Sequence, residues 1–104
     1  MNLNTVQINS LVAALLTAKT PAAMKKFLRD LLTEAEINEF ARRWQAAQLL
    51  DQKVPYSKIV QKTGLSSTTV ARISKWLQSG TGGYRLVLNT LHHHNPTLME
   101  TGLS

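Results

Sequence analysis

The sequence predicts an all-α fold of six helices, and three observations carry that prediction. Apolar residues recur at intervals of three and four almost throughout, where a strand would alternate. Helix-start chemistry stands where the stripes begin, at Pro21, at Thr33-Glu34-Ala35-Glu36 and at Ser66. Gly and Pro punctuate the intervals between them, and no segment reads as a strand, an internal repeat or a low-complexity block.

The first helix carries Ile8, Leu11, Val12, Leu15 and Leu16 as one stripe and ends before Pro21. Pro21 suits the first turn of the second helix, where a missing N–H costs nothing. That helix presents Met24, Phe27, Leu28 and Leu31. Thr33 and Glu36 have capping-box spacing, each side chain able to satisfy the other's backbone N–H. They open a third helix with Ile37, Phe40, Ala41, Trp44, Ala47 and Leu50 along one side, which Val54-Pro55 is expected to stop. Two shorter helices follow, about 56–63 and 66–79, separated by Gly64-Leu65. A break at 80–83 precedes a last amphipathic helix with Tyr84, Val87, Leu88 and Leu91. Residues 1–94 therefore read as one helical domain, and 95–104, with Pro96 and Gly102, as a loose C-terminal tail.

A chain of 104 residues fits one domain and gains much of its burial from a partner subunit. The absence of Cys excludes a disulfide scaffold, a zinc–thiolate site and a thiol nucleophile. No basic segment precedes an apolar stretch at the N-terminus, and the longest apolar run, Leu11 to Leu16, is far shorter than a membrane span. A cytoplasmic location is expected. The net charge of +6 is unevenly placed: no acidic residue occurs from Gln52 to Met99, while Lys53, Lys58, Lys62, Arg72, Lys75 and Arg85 do. Such a half suits a polyanion, since Lys and Arg displace the counterions condensed on phosphates.

Residues 56–73 give that partner a mode of recognition. Ile59 and Val60 face inward from the first short helix. Gly64 supplies the positive φ that a tight turn between crossed helices needs, Leu65 plugs the corner and Ser66 caps the next helix. Val70 and Ile73 anchor that helix on its predecessor, which is helix-turn-helix spacing. The second helix then presents small hydroxyls and one Arg. Ser67, Thr68, Thr69 and Arg72 are the candidates for base or near-base contacts, and Lys58, Lys62, Ser66 and Lys75 for phosphate contacts.

Leu32-Thr33-Glu34-Ala35-Glu36-Ile37, Arg42-Arg43-Trp44, Tyr56-Ser57-Lys58-Ile59, the run Thr63 to Arg72 and Gly82-Gly83-Tyr84 occur here in one order. In that order and spacing they resemble the Trp repressor superfamily, most closely its YerC/YecD branch of TrpR-related proteins, over about Phe27 to Leu91. The resemblance implies a bacterial repressor built as an intertwined all-helical homodimer, with two hairpins as reading heads for duplex DNA. It also implies an effector pocket in which Arg72 would be one of two ligand-contacting arginines and Arg42 or Arg43 the other. Two departures stand out. Ile73 occupies the place of a Gly that leaves room for the ligand, and Trp76 replaces a small polar residue. Both put apolar bulk where an indole would sit, so L-tryptophan is not the expected effector. Trp76 itself is expected to be an ordinary core aromatic.

His92-His93-His94 point about 100° apart on a helix and, with no acid or Cys expected nearby, read as a helix end and not as a metal site. No phosphate-cradling loop, Ser/His/Asp set or carboxylate pair occurs, so neither an enzyme nor a bound cofactor is expected. The competing reading from another class is a helical dimeric adaptor for protein interactions that does not bind DNA.

Overall fold

The computed structural model describes residues 1–94 of the chain, His94 in its backbone alone. Six α-helices and no strand occur among the described residues: α1 Val6–Thr17, α2 Pro21–Leu31, α3 Glu34–Asp51, α4 Tyr56–Thr63, α5 Ser67–Ser79 and α6 Gly83–His94. The tail expected at 95–104 lies outside them. Contacts group the chain into two compact units, Met1–Ile37 and the residues from Asn38 on.

In the first unit every helix start is chemically defined. Thr5 caps α1 by accepting from Ile8 N–H at 3.2 Å, and Thr20 caps α2 by accepting from Ala23 N–H at 3.1 Å, with Pro21 in the first turn. The capping box forms as its spacing predicts. Glu36 N–H donates to Thr33 Oγ1 at 3.1 Å, and Thr33 N–H donates to Glu36 Oε1 at 2.9 Å. The Thr33 backbone bond, helped by the Thr33 side chain, holds the Glu36 carboxyl below the usual glutamate range. Yet no residue up to Ile37 is buried. Helix α1 contains no charged residue, and it leaves Val6, Leu11, Val12 and Leu16 exposed.

The core lies in the second unit. Ala46, Ala47 and Leu49 of α3, Ile59 of α4, Leu65 of the turn, and Val70 and Ile73 of α5 are buried together. Trp44, Leu50, Val54, Val60 and Tyr84 pack against them. The expected stripe on α3 is thus half right: Ala47 is buried, whereas Phe40 is exposed and burial is concentrated at 46–49. Helix α5 touches both α4 and α6.

The end of α3 corrects one expectation. The helix ends at Asp51, three residues before Val54, in a Schellman motif that Val54 N–H itself closes. Val54 N–H donates to Leu49 O at 3.1 Å and Lys53 N–H to Leu50 O at 3.0 Å, with Lys53 at φ 64. The missing signal was a Gly, because Lys53 holds the left-handed position that Gly usually takes. At the end of α4 the usual residue is present. Gly64 sits at φ 74 and its N–H donates to Val60 O at 2.9 Å.

Candidate nucleic-acid interface

Helices α4 and α5 pack across the turn Gly64–Ser66 as a helical hairpin. Buried Thr63 fastens the turn: its hydroxyl donates to Ile59 O at 2.7 Å and accepts from Leu65 N–H at 3.2 Å. Ser66 caps α5 as its position predicts, accepting from Thr69 N–H at 3.1 Å and donating to Thr69 Oγ1 at 2.9 Å. With Val70 and Ile73 buried beneath, α5 turns Ser67, Thr68, Ala71 and Arg72 outward. Lys58, Lys62 and Lys75 are exposed as well, and none of these three or Arg72 forms a salt bridge among the described residues. Thr69 differs from its neighbours. It is half-buried, and its hydroxyl takes part in the cap.

A bond that sequence reasoning missed spans the hairpin. The Tyr56 hydroxyl, on the first residue of α4, donates to buried Ser74 Oγ of α5 at 2.6 Å, and Gln78 Nε2 donates to the same oxygen at 3.4 Å. Its only signal was an aromatic with a hydroxyl opening one helix and a Ser on the inner face of the next. Those positions can be paired only once the crossing of the helices is known.

The family model described as Trp repressor protein matches residues 6–92. This chain belongs to the Trp repressor family. It is 30% identical over 83 residues to the uncharacterized protein YerC of Bacillus subtilis (strain 168), an alignment covering 80% of each chain. The crystal structure of a TrpR-like protein from Eubacterium eligens ATCC 27750 superposes with a TM-score of 0.81 at 31% identity, covering 86% of this chain and 92% of that one. The all-helical Trp-repressor-like fold and the likeness to YerC are therefore findings.

The positions that the Trp repressor resemblance linked to an effector lie on α3 and α5. Arg43 Nε pairs with Glu39 Oε2 at 3.2 Å on α3, and Arg42 and Arg72 are exposed. None of the three lines either of the two clefts described here. Ile73 is fully buried in the core of the second unit. Trp76 does not behave as a core aromatic in the protomer: it is 43% exposed. The physical reason is the drift of the α5 face: each step of three residues falls about 60° short of a full turn, so Trp76 stands about 120° round from Val70 and outside the arc of Val70, Ile73 and Ser74 that is buried. It borders a cleft of about 920 Å³ whose other walls include Trp44, Tyr84 and Val87, with Lys75 and Ser79 also lining it. Trp44 and Tyr84 lie nearly parallel, ring centroids 6.5 Å apart at 17°. Burial pushes the Tyr84 hydroxyl above its ordinary pKa, and the Arg43 charge pulls the other way.

The histidine run also needs correction. An acid does lie near it: His92 Nε2 is 3.6 Å from Asp51 Oδ2, and Arg85 holds Asp51 Oδ1 at 2.7 Å. No group of three or more His, Cys, Asp or Glu that could hold a metal occurs among the described residues. No described helix is long and apolar enough to cross a membrane.

Proposed function

We propose that this chain is a sequence-specific regulator of transcription, a repressor that occupies duplex DNA through the α4–α5 hairpin used as a helix-turn-helix. Membership of the Trp repressor family supports the general class. The observation that carries the reading is the outer face of α5. Ser67, Thr68 and Arg72 are exposed there on a helix whose inner residues Val70 and Ile73 are fully buried. A helix presented this way can offer short hydroxyls to phosphates and base edges at its N-terminal end, with Arg72 one turn further to reach a guanine edge. Lys58 and Lys62 on α4 and Lys75 on α5 supply cations for flanking phosphates, and no acidic side chain from Gln52 through Met99 opposes them. Ser66 and Thr69, tied to one another in the cap, hold the N-terminus of α5 in shape and leave backbone N–H groups to face a phosphate.

The working unit is a homodimer. The unburied apolar faces of α1 and α2 and the cleft around Trp76 support it, because a lone protomer leaves that surface in water. A two-fold axis would set the hairpins on half-sites about 34–36 Å apart. The protein acts without catalysis, bound metal or cofactor, and inside the cytoplasm. L-tryptophan is not its effector on this reading, which rests on the resemblance that sets Ile73 and Trp76 where an indole would lie.

Mobility-shift titration with duplexes selected from a random pool, repeated across a salt series, tests the assignment. Binding that falls steeply with salt and discriminates among duplexes is expected. Absent or salt-insensitive binding would overturn the assignment and favour the reading as a dimeric protein-interaction adaptor.

A further inference from the structure

The two ends of the α4–α5 hairpin are held by different forces. Near the turn, the helices meet on Ile59, Leu65, Val70 and Ile73, all buried in one cluster. Close packing of that kind holds the turn end in a single arrangement. At the open end, Tyr56 continues the inner face of α4 three residues before Ile59, and Ser74 that of α5 four residues beyond Val70. Here an O–H···O bond of 2.6 Å joins the helices where an apolar pair would otherwise stand. Gln78 Nε2 donates to the same Ser74 oxygen at 3.4 Å. Tyr56 is 45% exposed, and beside the bond opens a cleft of about 700 Å³ lined by Val54, Tyr56, Ser74, Leu77 and Gln78. Packing therefore leaves α4 room to swing at this end, and a short directional bond opposes the swing.

A swing about the turn does not move every residue of α4 equally. Lys58 and Lys62 are both exposed on that helix, four residues apart. With a rise of about 1.5 Å per residue, Lys58 stands ~9 Å from Gly64 along the axis and Lys62 ~3 Å. A tilt of about 10° then carries the Lys58 backbone ~1.6 Å and the Lys62 backbone only ~0.5 Å. Charge-assisted bonds to phosphate are about 2.7–2.9 Å long, so the larger displacement breaks one or forces the side chain to stretch after it. Thr68 and Arg72 stand on α5, whose Val70 and Ile73 stay anchored in the core.

We propose that Tyr56 is a positioning residue. Its hydroxyl, held by Ser74, fixes the splay of the hairpin and so sets Lys58 against the DNA backbone in register with Arg72. Lys62, close to the turn, keeps its place without the bond. The placement of Lys58 rests on the DNA-binding reading, and the splay on the hairpin alone.

Tyr56→Phe keeps the ring and removes only the oxygen. Amide relaxation dispersion on the free full-length protein reads the splay: microsecond-to-millisecond exchange is expected in the variant at 56–59 and 74–78, and none at 63–70. Titration of a selected duplex, well below the melting midpoint, reads the consequence. Tyr56→Phe should weaken binding about fivefold, Ser74→Ala by as much, and the double variant no further than either. In a Lys58→Ala background the Tyr56→Phe loss should shrink below about twofold, whereas in Lys62→Ala it should persist in full. A merely structural loss would lower affinity in both backgrounds alike, and that result would overturn the proposal. So would wild-type affinity in Tyr56→Phe, or a variant without exchange at the open end. If the wild type binds no duplex, the DNA reading fails and the placement of Lys58 falls with it. Exchange confined to 56–59 and 74–78 would even then uphold the splay.

Discussion

The two left-handed residues that bracket α4 obey different rules. Gly64, at φ 74, has nothing within 4 Å of where a Cβ would stand, so Gly64→Ala should cost the backbone penalty of roughly 1–2 kcal/mol, less the roughly 0.5–1 kcal/mol returned by a less free unfolded chain. Lys53 already incurs that penalty. Lys53→Gly relieves it and loses about 0.5–1 kcal/mol to the unfolded chain's greater freedom, leaving a net gain of roughly 0.5 kcal/mol. Urea denaturation of both variants checks the pair of signs. On the outer face, Arg72→Ala should cost about 1–3 kcal/mol on a selected duplex and relax preference at one base position. Lys62→Ala should weaken every duplex alike and reduce the log–log salt slope by roughly one. Titrating both variants on matched and mismatched duplexes separates them; identical behaviour contradicts the two roles. Calorimetry with L-tryptophan should show no saturable micromolar binding. Saturation would mean that the protein makes room despite Ile73.

At the scale of elements, the caps explain why so much was legible. Thr33 with Glu36, Pro21, Gly64 and Ser66 act through neighbours at most four residues away, so their chemistry can be read from a string of letters. What could not be read depends on helix crossing or on an exception. Tyr56 and Ser74 are 18 residues apart, Asp51 and Arg85 are 34 apart, and Lys53 replaces the expected Gly. Trp76 was misjudged because an apolar residue on the right helix can still face away from its own protomer's core. The capping box adds a pH dependence with a definite sign. The Glu36 pKa is lowered in the folded state, so its stabilisation is present above the unfolded value and is lost as pH falls through the folded one. Thermal melts from pH 7 down into the acid range should show Glu36→Gln destabilised near neutrality. That difference should narrow as the wild-type carboxyl protonates.

For the whole molecule, the core of the second unit is built from small side chains meeting branched ones, Ala46 and Ala47 of α3 against Ile59, Val70 and Ile73. That makes the hairpin stiff, while the first unit has no buried residue of its own. Stability should therefore depend on protein concentration, because a partner that binds the folded state shifts unfolding by mass action. Light scattering at micromolar concentration is expected to report a dimer. Leu16→Lys, on the exposed face of α1, should lower the midpoint of melting at dilution and shift mass toward the protomer. A wild-type species of one-chain mass at every concentration would overturn the dimer.

The contrast between positions 53 and 64 also bears on how such a chain can vary over generations. One joint of α4 sits uphill from a better residue, and the other is already at its optimum. Drift should therefore be lopsided: Gly or Asn can enter at 53 at no loss, whereas few replacements at 64 would survive purifying selection. A lineage could thus exchange the side chain at 53 and keep its fold, so the surface there could change without a detour through unstable intermediates.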